Sequence, residues 1–402
     1  MQVTISPSRA VGTVVAPPSK SMAHRALICG ALSAGSTVQH LAFSKDIEAT
    51  LACLQALGVS IDRNGECVQL GGFSFDAIPE NAVLPCNESG STLRFLLPLC
   101  MAAGKSLTLV GSTRLFERPL SVYETIAREH GVVFEKGVDH VRVCGRLSAG
   151  DYTVVGDVSS QFISGLLFVL PLLDGDSTLT VTGRFESASY VALTVQMLRT
   201  FGIAVEQRGN VFSIKGNQTV AACSHTVEGD MSNAAFLSAL NLLGGEVTVT
   251  GLNADTLQGD RVYAAMFADL QRGHCSLDLT DCPDLGPVLF AMAAAHHGAH
   301  FTGTARLRIK ESDRAASMAQ ELAKFGVRVE VEEHHVTVLD GALHAPTQPL
   351  FSHNDHRIVM ALALLCTVVG GTITDAQAVA KSYPDFFDVL HSLQIGLVVH
   401  ET

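Results

Sequence analysis

Six stretches of this 402-residue chain follow one plan, and that repetition constrains the fold more than any other feature. Each stretch opens on a small polar residue, runs through an apolar segment, stops at Gly and continues as a short β-like run. The copies begin at Ser19, Ser89, Ser159, Asp230, Asp281 and Asn354. The starts recur at intervals of roughly 70 residues, with a shorter step between the fourth and fifth, as one supersecondary unit per copy would give.

Each copy reads as a helix. Ser, Asp or Asn at the start can cap the free N–H groups of the first turn. Gly35, Gly104, Gly175, Gly244, Gly298 and Gly370 follow the apolar runs, where a left-handed terminal residue is wanted. The helices are apolar on most faces, so they belong inside the molecule. Strands are predicted after them at 37–41, 106–110, 177–181, 246–250, 300–302 and 372–374. A second periodic element ends at Gly58, Gly131, Gly202 and Gly326, each closing an amphipathic helix and leading into alternating residues that read as a hairpin. The unit is thus helix–strand–helix–strand–strand. Six units over this length predict two domains of three units each. Pro17-Pro18 and Glu228-Gly229 mark the crossings, which places 19–228 in one domain and 1–18 with 229–402 in the other.

Repeated units bring equivalent helix ends to one side. Helix N-termini carry free N–H donors and about half a positive charge, which suits phosphate or carboxylate. Charged residues are only 16% of the chain and the formal net charge is −12, yet cations recur at these ends: Lys20, Arg25, Arg94 and Arg357. The acidic balance and the lack of a basic run argue against a nucleic-acid partner. The apolar stretch from Ile358 to Val369 is too short to span a bilayer, so no membrane association is expected. No basic start followed by an apolar run opens the chain, and none of the ten cysteines has CxxC spacing. Reduced thiols in the cytoplasm, with no metal and no cofactor, are the expectation. His296, His297 and His300 read as a helix end rather than a metal site, and His334-His335 as a hairpin turn.

Nine strings then add a resemblance: PPSKSMAHRALI (17–28), ESGSTLRFLLPL (88–99), ERP (117–119), SSQFISGLL (159–167), EGDMSNAAFL (228–237), CPDLGPVLFAMAA (282–294), IKESDR (309–314), NDHR (354–357) and KSYPDFF (381–387). Together, in this order and over nearly the whole chain, they resemble the enolpyruvyl transferases, and within them the branch acting on shikimate 3-phosphate. The resemblance implies a two-domain inside-out α/β barrel of six repeated units, with an interdomain cleft that closes on substrate. The implied reaction moves the enolpyruvyl group of phosphoenolpyruvate to the 5-hydroxyl of shikimate 3-phosphate and releases phosphate.

The resemblance also assigns residues. Ser21 and Arg25, four apart and so on one helix face, match the pair that binds the shikimate carboxylate. Ser159, Ser160 and Ser187 match the serines on its phosphate, which places that substrate on the 19–228 side. Gln161 matches a residue near both ligands, and Tyr190 supports the serine end. Lys20, Gly90, Arg118 and Lys381 match the ligands of the phosphoenolpyruvate phosphate, and Arg314 and Arg357 its carboxylate clamp, where a planar fork fits two oxygens. Asp284 matches the base for the hydroxyl. Glu311 and Lys20 are candidates for moving protons at C3, and Lys310 for holding substrate hydroxyls and Asp284. Glu88 and Ser91 stand where many members carry Asn and Thr. Arg306 lies where members vary and is left out of the site. Gly90 is expected to leave room for glyphosate. The nearest rival, the transferase acting on UDP-N-acetylglucosamine, opens with Lys-Asn and carries a reactive Cys before its Arg-Pro. This chain has Lys20-Ser21 and no Cys from Gly111 to Arg118. A monomer is the expected working state.

Overall fold

The computed structural model describes residues 1–401. The chain forms two compact units, Pro18–Glu228 and Met1–Pro17 with Gly229–Thr402.

In the Pro18–Glu228 unit the core helices are Lys20–Leu32, Gly90–Ala102 and Ser160–Val169. All but a few of their residues are buried, because these helices carry apolar side chains on every face. Three sheets cover them, with one strand face inward and the other exposed, as in Asp151–Val155. Every sheet has four strands: one parallel pair, then an antiparallel hairpin. The sheet 83–87, 106–111, 140–144, 133–136 is typical. The first sheet takes its parallel strand, Ser224–Thr226, from the far end of this segment.

Two core helices meet at Gly165. A Cβ there would lie 2.3 Å from the Arg94 carbonyl oxygen, so only glycine permits this approach. Pro98 sits inside Gly90–Ala102 and has no N–H for that carbonyl four residues back. The buried Tyr123 hydroxyl donates to Arg94 O instead, at 2.7 Å.

In the other unit the core helices are Met231–Leu242, Gly286–Ala295 and His356–Val369. One sheet joins 275–278, 299–302, 335–338 and 329–331. A second joins 350–351, 371–374, 2–5 and 397–400, so the N-terminal strand completes the last repeat. The third sheet has only two strands, 11–15 and 246–250.

The fourth repeat therefore departs from the expected unit. After its second helix, Tyr263–Arg272, the chain goes straight to Cys275–Asp278, a strand of the next sheet. There is no hairpin, and the shorter step between the fourth and fifth starts is the sequence trace of it. Two helix starts also shift. The fifth core helix begins at Gly286 after a tight turn Pro283–Leu285, not at Asp281. The sixth is capped by Asp355, whose carboxylate accepts from Arg357 N at 2.9 Å. Asn354 is left-handed at φ 52° and stands outside the helix. His335 opens a strand rather than lying in the turn. All six predicted glycine stops have positive φ.

Candidate active site

Within Gly229–Thr402 one charged cluster forms where the repeats bring helix starts together. Asp284 lies in the turn before its core helix. Its Oδ1 accepts from Arg314 Nη1 at 2.8 Å and from Lys310 Nζ at 3.3 Å, and its Oδ2 accepts from Arg357 Nη2 at 2.9 Å. Arg314 opens the helix Arg314–Lys324 and is fully buried. Its Nη2 donates to Glu311 Oε2 at 2.8 Å and its Nε to Asp355 Oδ2 at 2.9 Å. Asp355 is itself fully buried and also accepts from Ser312 Oγ at 3.1 Å. Lys381 Nζ donates to Asn354 O at 2.6 Å.

Burial alone would raise the Asp284 carboxyl, but Arg357, Lys310 and Arg314 overcome it and hold the group well below the usual carboxylate range. Burial lowers the Lys310 ammonium, with Asp284 opposing it. Burial works against the Arg357 charge too, yet Asp284 leaves that guanidinium raised. Nε and Nη1 of Arg357 are buried without a hydrogen-bond partner among the described residues. Unsatisfied donors of this kind carry a desolvation cost that an anionic ligand would remove.

Within Pro18–Glu228 the predicted residues form a second connected set. Lys20 opens its core helix and donates to Asp46 Oδ2 at 2.6 Å. Thr92 Oγ1 joins Asp46 O at 3.4 Å to the Ser89 cap at 2.7 Å, next to Gly90. The Arg118 guanidinium lies over Gly90: a Cβ there would be 2.4 Å from Nη1. Gln161 accepts from Arg94 Nη1 and donates to Ser91 Oγ, both at 3.0 Å, while Ser159 Oγ caps the Gln161 amide at 3.3 Å. Ser160 is buried one residue on. Arg25 donates from Nη1 to Ser21 O at 2.6 Å, from Nη2 to Tyr190 O at 2.9 Å and from Nε to Thr194 Oγ1 at 2.8 Å. That ties it to the helix Ala188–Thr200, headed by Ser187 in left-handed conformation at φ 52°. Burial pulls the Arg25 guanidinium down to about 10. Burial, then Lys20 and Arg25, also push His24 well down, so its imidazole stays neutral against Thr50 Oγ1 at 2.8 Å.

Four participants escaped sequence reasoning. Asp46 and Asp355 are partners of assigned cations, and neither stood out by spacing. Arg94 was read as a helix-start cation but not as the residue that fixes Gln161. Asp260, buried against Ser232, lies close enough to Asp284 and Arg357 to feel both charges. Arg306, left out of the site, is buried and donates to Thr280 O at 2.7 Å, close enough for its charge to act on Lys310.

The model of the family described as EPSP synthase (3-phosphoshikimate 1-carboxyvinyltransferase) matches residues 5–390. This chain belongs to the EPSP synthase family. A 3-phosphoshikimate 1-carboxyvinyltransferase of Clostridium kluyveri is 41% identical, over 97% of each chain. One of Clostridium acetobutylicum is 38% identical over 99% of this chain and 98% of that protein. A solved EPSP synthase of Acinetobacter baumannii superposes with a TM-score of 0.79 over 99% of this chain and all of that one, at 23% identity. That likeness supports the same inside-out α/β architecture of six repeats in two domains. The relatives carry the EPSP synthase name, so membership of the sister transferase family is not favoured. No helix among the described residues is long and apolar enough to cross a membrane.

Proposed function

We propose that this chain transfers the enolpyruvyl group of phosphoenolpyruvate to the 5-hydroxyl of shikimate 3-phosphate, releasing phosphate. The observation that carries the reading is Asp284 held by Arg314, Arg357 and Lys310, with Glu311 on the same arginine. A potential base, a second carboxyl and a fork for a substrate carboxylate share one buried cluster.

The geometry accounts for the base. Asp284 now occupies Nη1 of Arg314 and Nη2 of Arg357, and these cations hold its pKa down. A strongly depressed carboxylate is a poor base at neutral pH. When the carboxylate of phosphoenolpyruvate takes the two guanidinium groups, it competes with Asp284 for them. The added negative charge raises the Asp284 pKa, so substrate binding prepares the base. Asp284 then takes the proton of the 5-hydroxyl as its oxygen bonds to C2, while C3 gains a proton from Glu311 or Lys20. The C2–O bond to phosphate breaks next. C3 returns one proton to the same group, which restores the double bond.

Arg118, Lys20, Lys381 and the Gly90 N–H bind the phosphate of phosphoenolpyruvate, which leaves, and Gln161 serves both ligands. Ser21 and Arg25 take the shikimate carboxylate, and Ser159, Ser160 and Ser187 its phosphate, which assigns that substrate to residues 19–228. Residues 1–18 with 229–402 supply Asp284 and the carboxylate clamp. A monomer is the proposed working state. The ten cysteines are free thiols, which fits a cytoplasmic enzyme.

The test is phosphate release by the purified chain from phosphoenolpyruvate with either shikimate 3-phosphate or UDP-N-acetylglucosamine. Release with the first acceptor and not the second is expected. Release only with the second, or with neither, would overturn the reading.

A further inference from the structure

Helix Arg314–Lys324 grips the segment before the last core helix at two points. At its N-terminus Arg314 holds Asp355. Two turns on, Glu321 is fully buried, a place a carboxylate occupies only when paired. Its Oε2 accepts from Phe351 N at 2.9 Å, its Oε1 meets His353 Nε2 at 3.0 Å, and Lys324 Nζ donates to both oxygens at 3.0 and 2.8 Å. Burial works against its charge, but His353, Lys324 and the Phe351 amide still leave its carboxyl lowered.

The gripped segment is unusual in its backbone. His353 and Asn354 are consecutive left-handed residues, at φ 51° and 52°. Residues other than glycine adopt that region infrequently, His, Asn and Asp more than the rest, and two in succession need contacts that hold them. The turn matters because its carbonyl at Asn354 receives Lys381 Nζ, and the next residue, Asp355, orients Arg314 and caps the helix that carries Arg357. Three cations assigned to phosphoenolpyruvate thus hang on one strained turn.

We propose that Glu321 is a positioning residue for the phosphoenolpyruvate site: by binding Phe351 N and His353, it holds the left-handed turn that sets Lys381, Arg314 and Arg357. It touches no substrate and acts through the backbone of 353–355. The inference rests on the proposed function for what the three cations bind, but not for the coupling between Glu321 and the turn.

The experiment compares wild type, Glu321→Gln, His353→Ala and the double variant, using the full chain. Hydrogen exchange of the peptide spanning 350–357 is read first, because it requires no assumption about substrate. Both single variants should speed exchange in that peptide at temperatures well below their melting transitions, more than in the rest of the unit. Steady-state kinetics then separate the substrates. Loss of a charge-assisted hydrogen bond should raise KM for phosphoenolpyruvate about tenfold, with KM for shikimate 3-phosphate changed by less than about twofold. The double variant should be little worse than the worse single one, since both changes act on the same turn. Unchanged exchange at 350–357 overturns the proposal whatever the enzyme does. So does an equal rise in both KM values, or full additivity. Absence of transferase activity in the wild type would instead strike the functional reading, and the exchange data alone would then decide the coupling.

Discussion

A Cβ added to Gly90 would lie 2.4 Å from Nη1 of Arg118. Glycine at the start of that helix is what lets the guanidinium lie across it, and because the colliding atoms are the far end of a flexible side chain, a methyl would move the guanidinium rather than the backbone. Gly90→Ala should therefore fold normally but displace Arg118. The expected result is a rise of about tenfold in KM for phosphoenolpyruvate with kcat much less affected, the pattern of a lost binding contact. Weaker inhibition by glyphosate should accompany it. Initial rates at varied phosphoenolpyruvate check both.

Arg314 and Asp355 form an ion pair with almost no solvent contact, at 1% and 0% side-chain exposure. Asp284 and Glu311 stay on the guanidinium when Asp355 is neutralised, so the loss is that of a buried charge-assisted hydrogen bond, about 1.5–3 kcal/mol. Asp355→Asn should lower the unfolding free energy of the unit it belongs to by that order, read as a lower denaturant midpoint with the slope of the transition unchanged. The surface pair of Arg208 and Glu206, 88% and 74% exposed, provides the contrast: Glu206→Gln should leave the midpoint where it is.

Asp260 gives a pH prediction of opposite sign to the usual carboxylate. Burial, with Asp284 nearby, pushes its carboxyl up to about 6, against the pull of Arg357 and Ser232. The folded state thus holds this proton more tightly than the unfolded chain, whose carboxyl titrates near about 3.9. The stabilising contribution is complete below the unfolded value and is lost as pH rises through the folded one. Asp260→Asn should then raise the melting temperature relative to wild type at about pH 8, and the gain should shrink towards about pH 5. Melting curves across that range check the sign.

Much of the architecture was legible because the signals were local. An apolar run closed by a glycine at positive φ marks each core helix, and a capping side chain opens four of the six, without reference to the rest of the chain. The second helix of the last repeat escaped because Gln394, at φ 69°, stands where the other copies have glycine. The pairing of strand 2–5 with 371–374 and 397–400 was not legible, since it joins opposite ends of the chain. The charged site divides in the same way. The cations were visible at helix starts and in the family strings. The carboxylates that hold them, the partly buried Asp46 and the fully buried Asp355, were not, and neither was the buried Glu321 behind the 353–355 turn, because an acidic residue in a helix or loop looks the same whether it faces water or a cation.

Asp284 is proposed as the base, with its proton affinity set by arginines that also bind substrate. The most direct measurement compares wild type with Asp284→Asn, reading phosphate release under saturating substrates and shikimate 3-phosphate binding by calorimetry. Turnover should fall by about a hundredfold or more, with binding preserved within a few fold. Near-normal turnover in Asp284→Asn would contradict it.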